Sequence, residues 1–125
     1  MNTYHIPQTN STPSIFFDRK SELLKIEGRS LSSDPDSFYQ PLEVLINRHL
    51  EQQNSLQCTI SLEYFNSSSS RSLWGFLKII EQHAVNGKNV SVHWLHDSYD
   101  DDSVEFAEDL QRLLKIPIQI VAIDN

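Results

Sequence analysis

Glycine, cysteine and positive charge are all scarce in this chain. It has three glycines in 125 residues. None forms a Gly-x-Ser-x-Gly elbow, and no glycine pair offers an oxyanion hole, so the usual frame of a serine hydrolase is missing. The single cysteine, Cys58, excludes an intramolecular disulfide. On the apolar side of a strand pattern it reads as a small core residue, not a reactive thiol. Lys and Arg number 10 against 17 Asp and Glu, a formal charge of −7. Nucleic acid and anionic membrane select basic surfaces, so neither is expected as the main partner. No apolar run is long enough to cross a bilayer, and the N-terminus lacks the basic-then-apolar pattern of a leader. The expectation is a soluble, cytoplasmic protein with one domain over residues 1–125 and one core.

The apolar residues that are present fall into two periods. Met1 to Thr12 is polar and unpatterned, and residues 1–11 read as a loose tail or an edge segment. Ile15 and Phe17, then Leu24 and Ile26, alternate with polar neighbours around Asp18-Arg19-Lys20-Ser21, which predicts a β-hairpin, with Gly28 ending its second strand. Asp34-Pro35 starts a turn or helix. Phe38, Leu42, Leu45, Ile46 and Leu50 form a helical stripe, with the regular helix beginning near Phe38 so that Pro41 stays in its first turn. Leu56, Cys58, Ile60, Leu62 and Tyr64 alternate with Gln57, Thr59, Ser61 and Glu63, a strand with one buried face. Leu73, Leu77, Ile80 and Ala84, widened by Trp74, make a second helix stopped at Asn86-Gly87. Val90, Val92 and Trp94 make the next strand. Phe106, Leu110, Leu113 and Leu114 mark a third helix, with Asp102 and Glu105 resembling a capping box. After Pro117, the residues Ile118, Ile120 and Ala122 form the last strand.

This order, β-β-α-β-α-β-α-β, predicts an α/β fold: a mixed sheet of about five strands, an antiparallel hairpin followed by parallel βαβ units. Strands buried on both faces read as continuous apolar runs, whereas these alternate. Gln57, Thr59, Ser61, Ser91, His93 and Gln119 share the polar set. The three helices are therefore expected mainly on one face of a two-layer sandwich, leaving the other to solvent, a partner or a second copy in a homodimer. Parallel strands end at one edge, so the serine turn and the acidic loop Asp97 to Asp102 are expected to be neighbours.

Ser67, Ser68, Ser69 and Ser70 lie where a strand hands over to a helix. Hydroxyls are good helix caps, and the positive end of the helix dipole suits an anion, including a phosphate attached to a serine. The plainer alternative is that one serine caps the helix and the others fill the loop. As a nucleophile a serine needs a base, and His96 is the one histidine this reading puts at the right edge. With no elbow and no oxyanion hole, no catalytic residue is assigned. Asp97, Asp100, Asp101 and Asp102 offer oxygen ligands to a hard cation such as Mg²⁺, but a solvated loop before a helix explains them equally. His5, His49, His83 and His93 show no metal-ligand spacing, so no metal and no cofactor is expected. A constitutive binding module using the polar sheet face is a third class of function.

The string Tyr64-Phe65-Asn66-Ser67-Ser68-Ser69 resembles the Asn-Thr-Ser-Ser turn of the SiaC family. Thr12-Pro13, Gly28 with Ser30, and Trp94 with Asp97 before an acidic loop fit the same pattern across nearly the whole chain. Two positions depart from it: the acceptor is serine, and Leu31-Ser32-Ser33 stands where the family usually has Tyr-Pro-Glu. The resemblance implies a STAS-like fold and a bacterial partner-switching phosphoprotein with no enzymatic activity of its own. It implies phosphorylation of Ser67, with Ser68 as the alternative, by a cognate Ser/Thr kinase, and reversal by a PPM-type phosphatase. In the unphosphorylated form such a protein binds and activates a diguanylate cyclase, linking stress signals to cyclic-di-GMP and biofilm formation. The partner-binding residues so implied are Tyr64, Asn66, Ser67, Ser68, Ser69, Arg71, His96 and Asp97.

Overall fold

The computed structural model describes residues 3–123. Its elements in chain order are β1 (Thr3–Ile6), β2 (Ser14–Asp18), β3 (Leu23–Ser30), α1 (Pro35–Gln52), β4 (Ser55–Phe65), α2 (Ser67–Val85), β5 (Asn89–Asp97), α3 (Asp101–Leu113) and β6 (Ile118–Ile123). The strands form one six-stranded sheet in the order β1-β2-β3-β4-β5-β6. The first three are antiparallel, and β3, β4, β5 and β6 run parallel. Each helix is thus a crossover between neighbouring parallel strands, and α1 adds a βαβ unit ahead of those built on α2 and α3.

The sheet has six strands, not the expected five or so, because the edge segment is a strand. Tyr4 pairs with Phe17 and Ile6 with Ile15, while Thr3 and His5 are exposed. Two inward residues are too few to announce period 2 in the sequence; pairing against β2 supplies the backbone bonds. The strand residues on one face, from Ile15 and Phe17 through Leu24, Ile26, Cys58, Ile60, Val92 and Trp94, join all three helices in one core cluster. On the other face Thr59, Ser61, Ser91 and His93 are half-buried and no helix covers them, as the alternation predicts.

Several sequence expectations are corrected by local geometry. Gly28 lies inside β3 rather than ending it, in a left-handed backbone with φ +124°. Beside it the register jumps from Gly28↔Leu62 to Arg29↔Tyr64, so Glu63 has no partner in β3. Such a bulge reverses the faces beyond it. Tyr64, expected on the apolar side, is 56 % exposed. Phe65 turns inward instead, its ring 5.9 Å from Trp94 and 5.1 Å from Phe106.

Helix α1 begins at Pro35, not near Phe38, so Pro41 lies within it. Proline at the first position loses no bond. Ser37 and Pro41 are both on the exposed side, so the carbonyl deprived of its helical donor faces water. Leu42, Ile46 and Leu50 of the expected stripe are buried, but Phe38 and Leu45 are only half-buried and Tyr39 and His49 take the interior beside them. In α3 the chain leaves the helix after Leu113, exposing Leu113 and burying Leu114. The stop at Asn86-Gly87 forms as expected: Gly87 has φ +97°, and the Gly87 and Lys88 N–H groups donate to Ala84 and His83 carbonyls at 3.0 Å each.

Candidate functional site

Parallel strands bring the ends of β3, β4 and β5 to one edge, and the loops that follow them form the site. The serine turn is built from its cap inward. Asn66, not a serine, is the N-cap of α2: its extended backbone (φ −85°, ψ 176°) lets Oδ1 accept from the Ser69 N–H at 2.8 Å. Its own N–H donates to the Ser30 carbonyl at 3.1 Å, and Nδ2 donates to the Ser32 carbonyl at 3.4 Å. Ser67 to Ser70 therefore occupy the first helical turn, where the N–H groups of Ser67 to Ser69 lack helical partners and that of Ser70 makes the first helical bond, to the Asn66 carbonyl at 2.9 Å.

The hydroxyls of these serines have different fates. Ser68 donates to Asn66 Oδ1 at 3.1 Å, and Ser70 to the Ser67 carbonyl at 2.8 Å. Ser69 is fully buried and donates to the Ser30 carbonyl at 2.8 Å. Ser67 is exposed, and its hydroxyl makes no hydrogen bond among the described residues.

Ser69 belongs to an interior chain that sequence reasoning missed. Ser30 Oγ donates to Ser69 Oγ at 2.8 Å, which leaves the Tyr39 hydroxyl, 2.9 Å away, as the donor to Ser30. Burial pushes the Tyr39 phenol from its usual 10.0 up to about 12, the Ser30 bond offsetting part of that rise. The only advance signal for Tyr39 was its place next to Phe38 in the helical stripe. A second tie runs from Ser72 Oγ to Asp36 at 2.5 Å. The serine turn is thus bolted to the end of β3 and the start of α1.

On the far side of the edge, Asp97 ends β5, and its side chain accepts from the Tyr99 N–H at 3.0 Å. Asp100, not Asp102, caps α3, accepting from the Ser103 N–H at 3.1 Å, so the expected pairing of Asp102 with Glu105 does not form the cap. The reason is Trp94: its buried indole N–H needs an acceptor and takes Ser103 Oγ at 2.8 Å, which fixes Ser103 in the first turn. His96 points to the helix side and is 9 % exposed; its Nδ1 donates to the Asp97 carbonyl at 2.8 Å. No histidine nitrogen is bonded to a serine hydroxyl among the described residues. No cluster of three or more His, Cys, Asp or Glu side chains is arranged to hold a metal ion among them either. Arg71 is exposed and forms no ion pair among the described residues.

Ser67 and the start of α3 meet across a groove of about 270 Å³. One wall carries Asn66, Ser67 and Ser70, the other Asp102, Glu105 and Asp109, with Phe65 and Phe106 between them. The serine turn and the acidic segment are therefore neighbours, as parallel topology requires.

Residues 6–123 match the family described as SiaC family regulatory phosphoprotein. The chain is 29 % identical over 126 residues to an uncharacterized protein of Pseudomonas aeruginosa strain UCBPP-PA14, covering 100 % of both. It resembles the crystal structure of apo-SiaC from Pseudomonas aeruginosa with a TM-score of 0.87 and 29 % identity, over 98 % of this chain and 100 % of that one. It also resembles a chain in the crystal structure of the diguanylate cyclase SiaD in complex with its activator SiaC, from the same organism. There the TM-score is 0.89 and the identity 27 %, over 96 % of this chain and 99 % of that one.

Proposed function

Because the chain belongs to the SiaC family of regulatory phosphoproteins, we propose that it is a non-enzymatic partner that binds and activates a diguanylate cyclase, and that phosphorylation of Ser67 switches this binding off. The cyclase assignment is supported by the solved neighbour in which SiaC is the activator bound to SiaD. The phosphorylation assignment rests on one observation: of the hydroxyls in the turn, that of Ser67 is the exposed one left without a bond. A kinase reaches it without breaking the cap or opening the core, whereas Ser68, the alternative, is engaged on Asn66. A Ser/Thr kinase and a PPM-type phosphatase complete the switch.

The fold itself tolerates the modification. A phosphate adds about −1.5 to −2 charge at the N-terminus of α2, where unpaired N–H groups and the dipole favour it. The effect falls on the partner. An interface that covers Ser67 has to desolvate the dianion, at a cost on the order of several kcal/mol. Since about 1.4 kcal/mol is tenfold in affinity, that cost ends the complex. No helix of the described residues is long and apolar enough to cross a membrane.

Site-resolved mass spectrometry tests the acceptor. After incubation with a cognate Ser/Thr kinase, one phosphate is expected on Ser67 and none in Ser67→Ala. Calorimetry against the cognate diguanylate cyclase is expected to show binding by the unmodified protein and loss after kinase treatment. Equal binding by both forms would overturn the switch.

A further inference from the structure

The groove beside Ser67 has features that the switch alone does not use. Its floor is aromatic: Phe65 and Phe106 are half-buried, with ring centroids 5.1 Å apart. One wall is anionic, with Asp102, Glu105 and Asp109 on successive turns of α3, and no lysine or arginine lines the groove. Asp109 is held by Arg112 at 2.8 Å, whereas Asp102 and Glu105 have no ion pair among the described residues. The groove stays open because α2 is tied to α1, through Ser72–Asp36 and His83–Asn47, while α3 packs over β5 and β6.

We propose that this groove seats a basic segment of the partner protein, one apolar side chain packing onto the floor formed by Phe65 and Phe106 and a flanking lysine or arginine pairing with Asp102 and Glu105. The inference rests on the partner reading above and adds where, and by what chemistry, the partner docks. Charge complementarity decides the occupant. An acidic segment would meet unneutralised carboxylates on one wall, and a purely apolar one would desolvate them without a counter-ion. A cation beside an apolar anchor satisfies both surfaces.

The same geometry explains how a phosphate closes the seat. Ser67 lies on the wall facing the carboxylates, so its phosphate stands at the mouth of the groove. The partner's cation is already matched to Asp102 and Glu105, and the phosphate's added charge of about −1.5 to −2 is left uncompensated. The apolar anchor must also pass a solvated dianion to reach the floor. Long-range attraction between the phosphate and a basic partner persists, which predicts a weak, salt-sensitive encounter in place of the complex.

The test is calorimetry with the cognate diguanylate cyclase at low and high salt, with circular dichroism to verify folding. The double variant Asp102→Asn, Glu105→Gln is expected to bind about tenfold or more weakly, with a flatter salt dependence. Phe106→Ala is expected to bind weakly with the salt dependence unchanged. Glu108→Gln removes one charge from the exposed side of α3, outside the groove, and is expected to bind normally. If the double variant matches the wild type at both salts while Ser67→Glu loses binding, the docking groove is wrong and the switch stands. If the unmodified protein does not bind the cyclase at all, the partner reading fails, and the groove is judged by a Leu/Lys amphipathic helical peptide followed by amide chemical shifts. Shifts confined to residues 66–70 and 102–109 support it; shifts spread over the acidic surface, or none, overturn it.

Discussion

At the scale of single residues, Ser67 on the serine turn and Tyr39 on α1 are opposites, one hydroxyl exposed and the other buried behind the turn. Ser67 is free to react because it bears no structural duty: Asn66 is the cap, so Ser67→Ala is expected to change stability by no more than about 0.5 kcal/mol. The variant should resist the kinase and stay in its binding form. Ser67→Glu carries about half the phosphate's charge, so a partial loss of cyclase affinity is expected by calorimetry. Tyr39 cannot be freed in this way. Tyr39→Phe removes the donor to Ser30 Oγ inside the core and is expected to cost about 1 kcal/mol, read as a lower urea midpoint with an unchanged slope. An unchanged midpoint would show that the interior chain is held by Ser30 and Ser69 alone.

At the scale of elements, the site depends on the start of α2 and on the bulge of β3 against β4. Asn66→Ala is expected to lose about 1 kcal/mol as the Ser69 N–H loses its acceptor. Asn66→Asp keeps that acceptor and adds a charge that the helix end favours, but it loses the Nδ2 bond to the Ser32 carbonyl, so its midpoint should fall between those of Asn66→Ala and the wild type. Gly28 is the second control point. Alanine there would carry a Cβ into φ +124° and within 2.8 Å of the Gln8 side chain. Gly28→Ala is expected to destabilise by more than about 1 kcal/mol. Adding Gln8→Ala should restore only part of this, because it relieves the contact and not the backbone. Full restoration would mean that the φ of Gly28 carries no strain for alanine.

For the whole molecule, the consequence lies in alkali. Burial raises Cys58 from 9.0 and Tyr39 from 10.0, each to about 12. The folded state therefore holds both protons above the pH at which the unfolded chain releases them. Their contribution to stability is complete below about pH 9 and is lost progressively as pH rises from about 9 toward 12, where the folded groups themselves ionise. Urea midpoints measured from pH 8 to pH 11 should fall, and the combination Cys58→Ala, Tyr39→Phe should flatten the decline. The same burial leaves Cys58 unreactive toward a thiol reagent in the native state and labelled only on unfolding.

The sequence by itself determined the strands and helices that follow β1, the single covered face of the sheet and the meeting of the serine turn with the acidic loop. Each depends on periodicity or chain order, and both can be counted along a line. What only the tertiary structure decided depends on contacts across the chain. An unpaired Glu63 beside Gly28 turned Tyr64 outward and Phe65 into the core, because one extra residue reverses every later side chain in a strand. The demand of the Trp94 indole for an acceptor set Ser103, and with it the cap at Asp100. Which serine stayed free was settled by Ser30, a residue of another strand, which took Ser69 into the interior, while the cap Asn66 engaged Ser68. Four adjacent serines are chemically identical in one dimension; only the partners that folding brings to each of them make Ser67 the open one.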